Sequence, residues 1–331
     1  MLKDSQRKGK SFGLGLLGLW MAVTLTYFNP LYGAEYPSKT IQIINPFPPG
    51  ASTDILSRVL TEKLSLFLGQ PVVVVNKTGG GGAIGIKSAK DAPPDGYTVL
   101  VAPPPLVLIP IARKGIGFSL SDFTPVNLAG NNPAMMVVKK DATWRTLEEF
   151  VADARKNPGK LTFGSAGTGT SHHFTLELLK IVTSTDLIHV PLGGEAPVVT
   201  AILGGHISTS FLTMGTVQSH LQAGTLRGLA VTSPQRLKEF PEVPTSAEKG
   251  YPRLNPRPWF VYLVHAETPP AIVKRLAEAF KKALADKEII AKIEKAGLTV
   301  ENLGPEEAGR FLSEEHKKWS EVATVAKITP Q

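Results

Sequence analysis

The sequence predicts an α/β fold of two units, each with a mainly parallel sheet flanked by helices. Three observations carry this. Short apolar, β-branched runs alternate with segments whose apolar residues recur at helical spacing. The first part follows the order βαβαβ, which implies a parallel sheet. The last segments hold helices but no sheet of their own, so they are expected to pack back on the first unit. The two units are therefore joined by more than one crossing, with 36–135 and 260–331 forming one lobe and 136–259 the other.

Each element has a local reason. Thr40–Asn45 reads as a buried strand, and Ser52 or Thr53 is placed to cap the helix after it. Leu56, Leu60, Leu64 and Phe67 mark that helix's inner face, and Gly69 ends it. PVVVVN (71–76) is a second strand, a glycine loop and a short helix to Lys90 follow, and TVLVA (98–102) is the third strand. The second unit opens with the strand MMVVK near Met135. Thr146 and Glu149 then form a capping box before a helix. LTFGS (161–165), LIHV (187–190), ISTSF (207–211) and LRGLAVT (226–232) read as strands. The proline-rich stretch from Phe240 to Pro258 is an irregular crossing, and WFVYLV (259–264) resumes strand character. Two helices, the short strand LTVENL and a closing helix with Phe311 and Trp319 complete the chain.

Composition bounds the function. A length of 331 residues suits two domains, and 42% hydrophobic content is enough for real cores. The absence of cysteine excludes disulfides, thiol catalysis and cysteine metal sites. Lys3, Arg7, Lys8 and Lys10 form a basic head before the apolar, uncharged stretch Phe12–Phe28, with small residues at Gly33 and Ala34. That is the layout of a signal peptide over 1–33, cleaved near Gly33 or Ala34, which would place the mature chain in the periplasm. The alternative is retention as a membrane anchor. Of the net charge of +8, the head supplies four basic groups against Asp4. The modest positive charge that remains is spread out. It favours anionic ligands and gives nucleic-acid binding no support.

Three glycine-rich elements can carry chemistry. In GGGGAIG, Gly80, Gly82 and Gly85 fit the spacing of a dinucleotide loop. The following strand offers no acid for a ribose, however, and Ile86 stands where a phosphate loop needs lysine. The plainer reading is a turn that lets the backbone pass close to a neighbouring loop. The other two, INPFPPGASTDIL (44–56) and GSAGTGTSHH (164–173), each run from a strand into a helix start. Both direct helix N–H groups and hydroxyls (Ser52, Thr53; Thr168, Thr170, Ser171) at one point, and helix N-termini bind anions without a cation. A capped helix start is the plain reading of either alone; one in each unit makes a facing pair. Hydrolase readings lack a G-x-S-x-G elbow, a nucleophile–base pair and a metal motif; His172, His173 and Glu177 alone do not make one. Asp54 and Asp95 read as a first-turn dipole partner and a turn residue.

Eight separated segments carry a family resemblance: YPSKTIQIINPFPPGASTDILSRVL, GQPVVVVNKTGGGGAIG, PPDGYTVL, FGSAGTGTSHH, VPLGGEAPVVTAILGGHI, LAVTSPQR, PEVPTSAEKG and the late tryptophan. In order and spacing they resemble the extracytoplasmic solute receptors of tripartite tricarboxylate transporters, the Bug or TctC family, over nearly all of 36–325. The resemblance implies a periplasmic-binding-protein fold with a ligand cleft between two lobes. It implies capture of a small carboxylate and delivery to membrane permease subunits, by a monomer with no cofactor, no metal and no catalytic residue. It assigns one carboxylate to Phe47, Gly50, Ala51, Ser52, Thr53 and Asp54. It assigns the other end to Gly167, Thr168, Gly169, Thr170, Ser171 and His172, with Gly193, Gly194 and Ala196 beside them and Gly82 at the floor or rim.

The chain departs from the family pattern at Ala51, where a second glycine is usual, at Leu192, where an aromatic residue is usual, and at Ser208, often an aspartate. These touch specificity rather than class. Two other function classes share such a cleft: a secreted enzyme acting on a small acidic substrate, and a ligand-sensing receptor for a membrane kinase.

Overall fold

The first three strands sit where their apolar runs place them. The computed structural model describes residues 36–328; the leader and its cleavage site lie outside them. Strand β1 (Ile41–Asn45) leads into α1 (Ser52–Leu68), which buries Leu56, Leu60 and Leu64. The N-cap of α1 is Ala51 and no side chain caps it, so Ser52 and Thr53 stand within the first turn. The expectation that one of them caps the helix is corrected. Gly69 closes α1 at φ 73°, its N–H bonded to the Ser65 carbonyl. Then come β2 (Val72–Asn76), a tight turn Gly80–Gly82, α2 (Ala83–Lys90) and β3 (Thr98–Ala102).

Two elements were not expected, α3 (Pro105–Ala112) and β4 (Phe123–Asn131). Next follow β5 (Ala134–Lys139), α4 (Leu147–Lys156), β6 (Thr162–Ser165), α5 (Ser171–Thr183), β7 (Ile188–Pro191) and α6 (Glu195–Leu203). Thr146 caps α4 through Glu149 N at 3.2 Å, but the Glu149 carboxylate reaches Arg145 N at 2.6 Å, one residue short of a capping box. After β8 (Ser210–Thr213), α7 (Met214–Gln222) and β9 (Leu226–Val231), the chain returns through β10 (Trp259–His265), α8 (Pro270–Leu284), α9 (Lys287–Lys295), β11 (Thr299–Leu303) and α10 (Pro305–Val325).

The sheets are mixed. The six-stranded sheet has the order β11-β4-β10-β3-β1-β2. Its β2-β1-β3 part is parallel, with Ile43 opposite both Val74 and Val99. The expectation of mainly parallel sheets needs correction beyond that. Strand β10 runs antiparallel to β3 and β4, and β11 runs antiparallel to β4. The reason is connectivity: β10 enters at the edge where β3 ends and must run back along it. Its register against β4 shifts at Leu263–Pro125, a bulge that absorbs the proline. Among the other strands β8-β5-β9 is antiparallel, whereas β6 and β7 pair in parallel.

The late helices pack on the six-stranded sheet and on α1, α3 and α5. Glu315 of α10 is buried and accepts hydrogen bonds from the indoles of Trp259 and Trp319, each at 2.9 Å, with Lys318 as its ion-pair partner. Trp319 also meets Phe174 of α5 edge-on at 5.9 Å. The Tyr262 hydroxyl of β10 bonds Ser57 of α1 at 3.0 Å in full burial, which raises its pKa. Two connecting segments run side by side, a first crossing between β4 and β5 and a second that runs into β10; the Asn132 backbone N–H donates to the Pro258 carbonyl at 2.7 Å and ties them together.

Candidate functional site

The first loop is held from below by one carboxylate. Asp54 is 3% exposed. It accepts from Gly50 N at 3.0 Å, Arg58 Nε at 2.9 Å, Asn76 Nδ2 at 2.9 Å and Asn45 Nδ2 at 3.5 Å. Burial raises its pKa, but Arg58, the Gly50 amide and Asn76 outweigh it and hold it at about 2. The sequence made Asp54 a candidate ligand contact; its oxygens are spent inside the loop, so its role is corrected to positioning. Ser52 accepts from Asn132 Nδ2 at 3.2 Å. Thr53 is 3% exposed and its hydroxyl has no partner among the described residues. The first-turn amides of Ser52 and Thr53 have no acceptor within the helix.

The glycine turn lies against this loop. A Cβ on Gly85 would come within 2.6 Å of the Lys77 carbonyl and 2.7 Å of Pro46 Cα, so only glycine lets α2 pack here. A Cβ on Gly82, at φ 103°, would sit 3.4 Å from the Phe47 ring. The turn therefore serves close backbone approach, and it places Gly82 beside Phe47.

The second loop follows the parallel pair β6–β7. Ser165, at the end of β6, is fully buried. Its hydroxyl accepts from Gly167 N at 3.0 Å and bonds His189 Nε2 at 2.5 Å. His189 stacks on His173 with ring centroids 4.5 Å apart, and His173 Nδ1 accepts from Gly169 N at 3.2 Å. That bond requires His173 Nδ1 to be unprotonated. Burial lowers the pKa of both rings; the charge of Lys180 adds to it at His173, and His173 and Lys180 add to it at His189 against the pull of Glu177. Thr170 donates to the Gly167 carbonyl at 2.6 Å, so its hydroxyl is engaged within the loop. Thr168 is exposed, and among the described residues nothing pairs with its hydroxyl. The amides of Ser171 and His172 open the first turn of α5 without an intrahelical acceptor.

A third segment joins the second loop. His172 Nε2 bonds Glu195 Oε1 at 3.0 Å, and Glu195 Oε2 accepts from Thr213 Oγ1 at 2.7 Å and from Thr216. Burial raises the Glu195 pKa, but the bonds to His172, Thr216 and Thr213 overcome it and hold the carboxyl below its ordinary value. Gly193, at φ 83°, Gly194 and Ala196 thus sit beside His172 at the start of α6.

The predicted residues fall into two groups, both at the C-terminal ends of parallel strands, where open α/β sheets bind ligands. Phe47 to Asp54 and Gly82 form one; Gly167 to His172, Gly193, Gly194 and Ala196 form the other. No Lys or Arg lies in either loop. Sequence reasoning missed Asn45, Asn76 and Asn132, whose side chains fix the first loop, and the Ser165–His189–His173 set under the second. Ser165 and His189 make a nucleophile–base pair that the sequence hid, being 24 residues apart. Ser165 is fully buried and holds Gly167, which makes the pair a brace for the loop. Among the described residues no group of three or more His, Cys, Asp or Glu is placed to hold a metal ion, and no helix is long and apolar enough to cross a membrane.

Comparison with known proteins assigns the architecture to a family. The tripartite tricarboxylate transporter family receptor, TctC, matches residues 56–327. BugT of Bordetella pertussis is 33% identical over 93% of this chain and 95% of its own. The crystal structure of a TctC solute binding protein from Polaromonas superposes with a TM-score of 0.78 at 30% identity, over 87% of this chain and 99% of that one. R. palustris Rpa4515 with adipate superposes with a TM-score of 0.75 at 28% identity, over 89% of this chain and 100% of that one. The chain belongs to the TctC family of tripartite tricarboxylate transporter receptors.

Proposed function

We propose that this chain captures a small carboxylate, with a dicarboxylate such as adipate as the first probe, in a cleft between two lobes, and delivers it to the membrane permease of a tripartite tricarboxylate-type transporter. The lobes are 36–135 with 260–331, and 136–259. The protein is a binding receptor without catalytic turnover. It is exported to the periplasm after removal of residues 1–33 and works as a monomer.

One observation carries this reading. Two helix starts, those of α1 and α5, follow parallel strands and offer free amides, with no lysine or arginine in either loop and the nearby Arg58 engaged by Asp54. In this proposal one carboxylate rests on Phe47, Gly50, Ala51, Ser52 and Thr53, and the other on Gly167 to His172, with Gly193, Gly194, Ala196 and Gly82 as walls. Amides and hydroxyls then supply the charge-assisted hydrogen bonds, each worth about 1.5–3 kcal/mol.

A thermal-shift screen of small carboxylates tests the class. A ligand at ~100 times its dissociation constant adds about 2.7 kcal/mol, which raises the melting midpoint by roughly 2–4 °C or more. No shift with any mono-, di- or tricarboxylate contradicts the proposal.

A further inference from the structure

A cavity of about 630 Å³ opens at the other end of the six-stranded sheet, lined by Asn131 of β4, Arg257 of the second crossing, and Thr299 and Glu301 of β11. That volume is typical of small-molecule sites. Strands β10 and β3 lie between β4 and β1 in the sheet, and none of the residues assigned to the carboxylate lines the cavity. Nothing in the carboxylate reading uses it.

Its inner wall holds polar groups that are short of partners. Arg257 and Glu301 pair at 2.6 Å, each with only 16% of its side chain exposed. Arg257 carries five N–H donors, and its one partner among the described residues is Glu301 Oε1. The same oxygen accepts from Asn131 Nδ2 at 2.5 Å, so Glu301 Oε2 has no partner among those residues. Asn131 Oδ1 is buried with none. The open valences of Arg257 and Glu301 face the cavity and its solvent, and beside them the buried Asn131 Oδ1 carries the cost of an unmade hydrogen bond. Met214, Leu237, Leu298 and Leu303 give an apolar part of the lining, and Arg236, Lys238, Lys295, Glu239 and Glu294 add charges of both signs.

This pattern selects a charge class. A lone anion reaching Arg257 would face Glu301, and a lone cation reaching Glu301 would face Arg257. A zwitterion meets both: its carboxylate takes the guanidinium fork, and its ammonium takes Glu301 Oε2 and Asn131 Oδ1. We propose that this cavity is a second ligand site, for a free α-amino acid with an apolar side chain, held by Arg257, Glu301 and Asn131. It lies beside both crossings and is independent of the carboxylate site.

Calorimetry with three near-isosteric probes tests it: L-phenylalanine, 3-phenylpropanoate, which lacks the ammonium, and 2-phenylethylamine, which lacks the carboxylate. L-phenylalanine binds one per chain, and each truncated probe binds this site at least about 10-fold more weakly. Arg257→Gln weakens L-phenylalanine by a similar factor. Leu237→Trp, which fills the apolar part and leaves the ion pair intact, does the same and guards against misfolding of the first variant. Thr168→Val leaves L-phenylalanine unchanged, and Arg257→Gln leaves adipate unchanged. Three results overturn the proposal: no L-phenylalanine binding at about 10 mM, binding indifferent to both cavity variants, or binding that follows Thr168→Val. The three overturning results are all read with L-phenylalanine alone, so they stand whether or not the carboxylate reading holds.

Discussion

Asn132 donates to the Ser52 hydroxyl at 3.2 Å, so the crossing from β4 to β5 is tied to the first turn of α1. Asn132 is 5% exposed, and its Oδ1 has no partner among the described residues. Replacing it with alanine removes one hydrogen bond and one stranded acceptor together. Asn132→Ala should therefore cost only about 0.5–1 kcal/mol of stability, the low end for a buried hydrogen bond. Denaturant unfolding checks this; a loss above about 3 kcal/mol would mean that the crossing depends on Asn132 in some further way.

Asp54 gives a pH signature. Its folded pKa, about 2, lies below the ordinary 3.8, so it stabilises the folded state above pH 3.8 and loses that effect as pH falls toward about 2. The shift corresponds to about 2 kcal/mol. Asp54→Asn should be less stable than the wild type by about that amount at neutral pH. The gap should close as acid protonates the native carboxylate. A gap constant with pH would mean that packing, not charge, sets the effect.

His173 should make the second loop acid-sensitive. It must stay neutral to accept the Gly169 amide, and it faces His189 and Lys180, with Glu177 near His189. Its folded pKa is lowered, so the unfolded chain binds the extra proton first. Stability should then fall as pH drops below about 6.5. His173→Asn keeps a side-chain acceptor without the titration and should flatten that slope between about pH 5 and 7. An unchanged slope would assign it to other groups.

Gly85→Ala should cost about 1–3 kcal/mol, because its Cβ would press on the Lys77 carbonyl and Pro46 Cα. Its effect should reach carboxylate binding through Pro46 and Phe47. Calorimetric affinity and a melting curve of the same variant separate the two effects; a variant as stable as the wild type contradicts the packing assignment.

Much of the fold was legible because it is written locally. TVLVA is apolar on both faces, as a buried parallel strand is, IQIIN and VVVVN are short β-branched runs broken only by the exposed Gln42 and Val73, and Gly69 stops α1 by backbone chirality. The β4 segment FTPVNLAGN was not legible, since Pro125, Asn127 and Gly130 dilute its strand pattern and its pairing comes from β10, far along the chain. Strand direction was lost for the same reason. At the site, the loops that open α1 and α5 are contiguous and visible. The braces under them are not: Asn76 reaches Asp54 across 22 residues, His189 reaches Ser165 across 24, and Asn132 reaches Ser52 across 80.

The most direct test of the central claim is calorimetry of adipate against its neutral diamide, adipamide, with wild-type protein and Thr168→Val. If amides and hydroxyls hold a carboxylate at each helix start, adipate binds, adipamide binds at least about 10-fold more weakly, and Thr168→Val costs adipate roughly 10- to 150-fold while the empty protein melts unchanged. Equal affinity for acid and diamide, with Thr168→Val silent, would show that the starts of α1 and α5 are ordinary helix ends and that carboxylates are bound elsewhere.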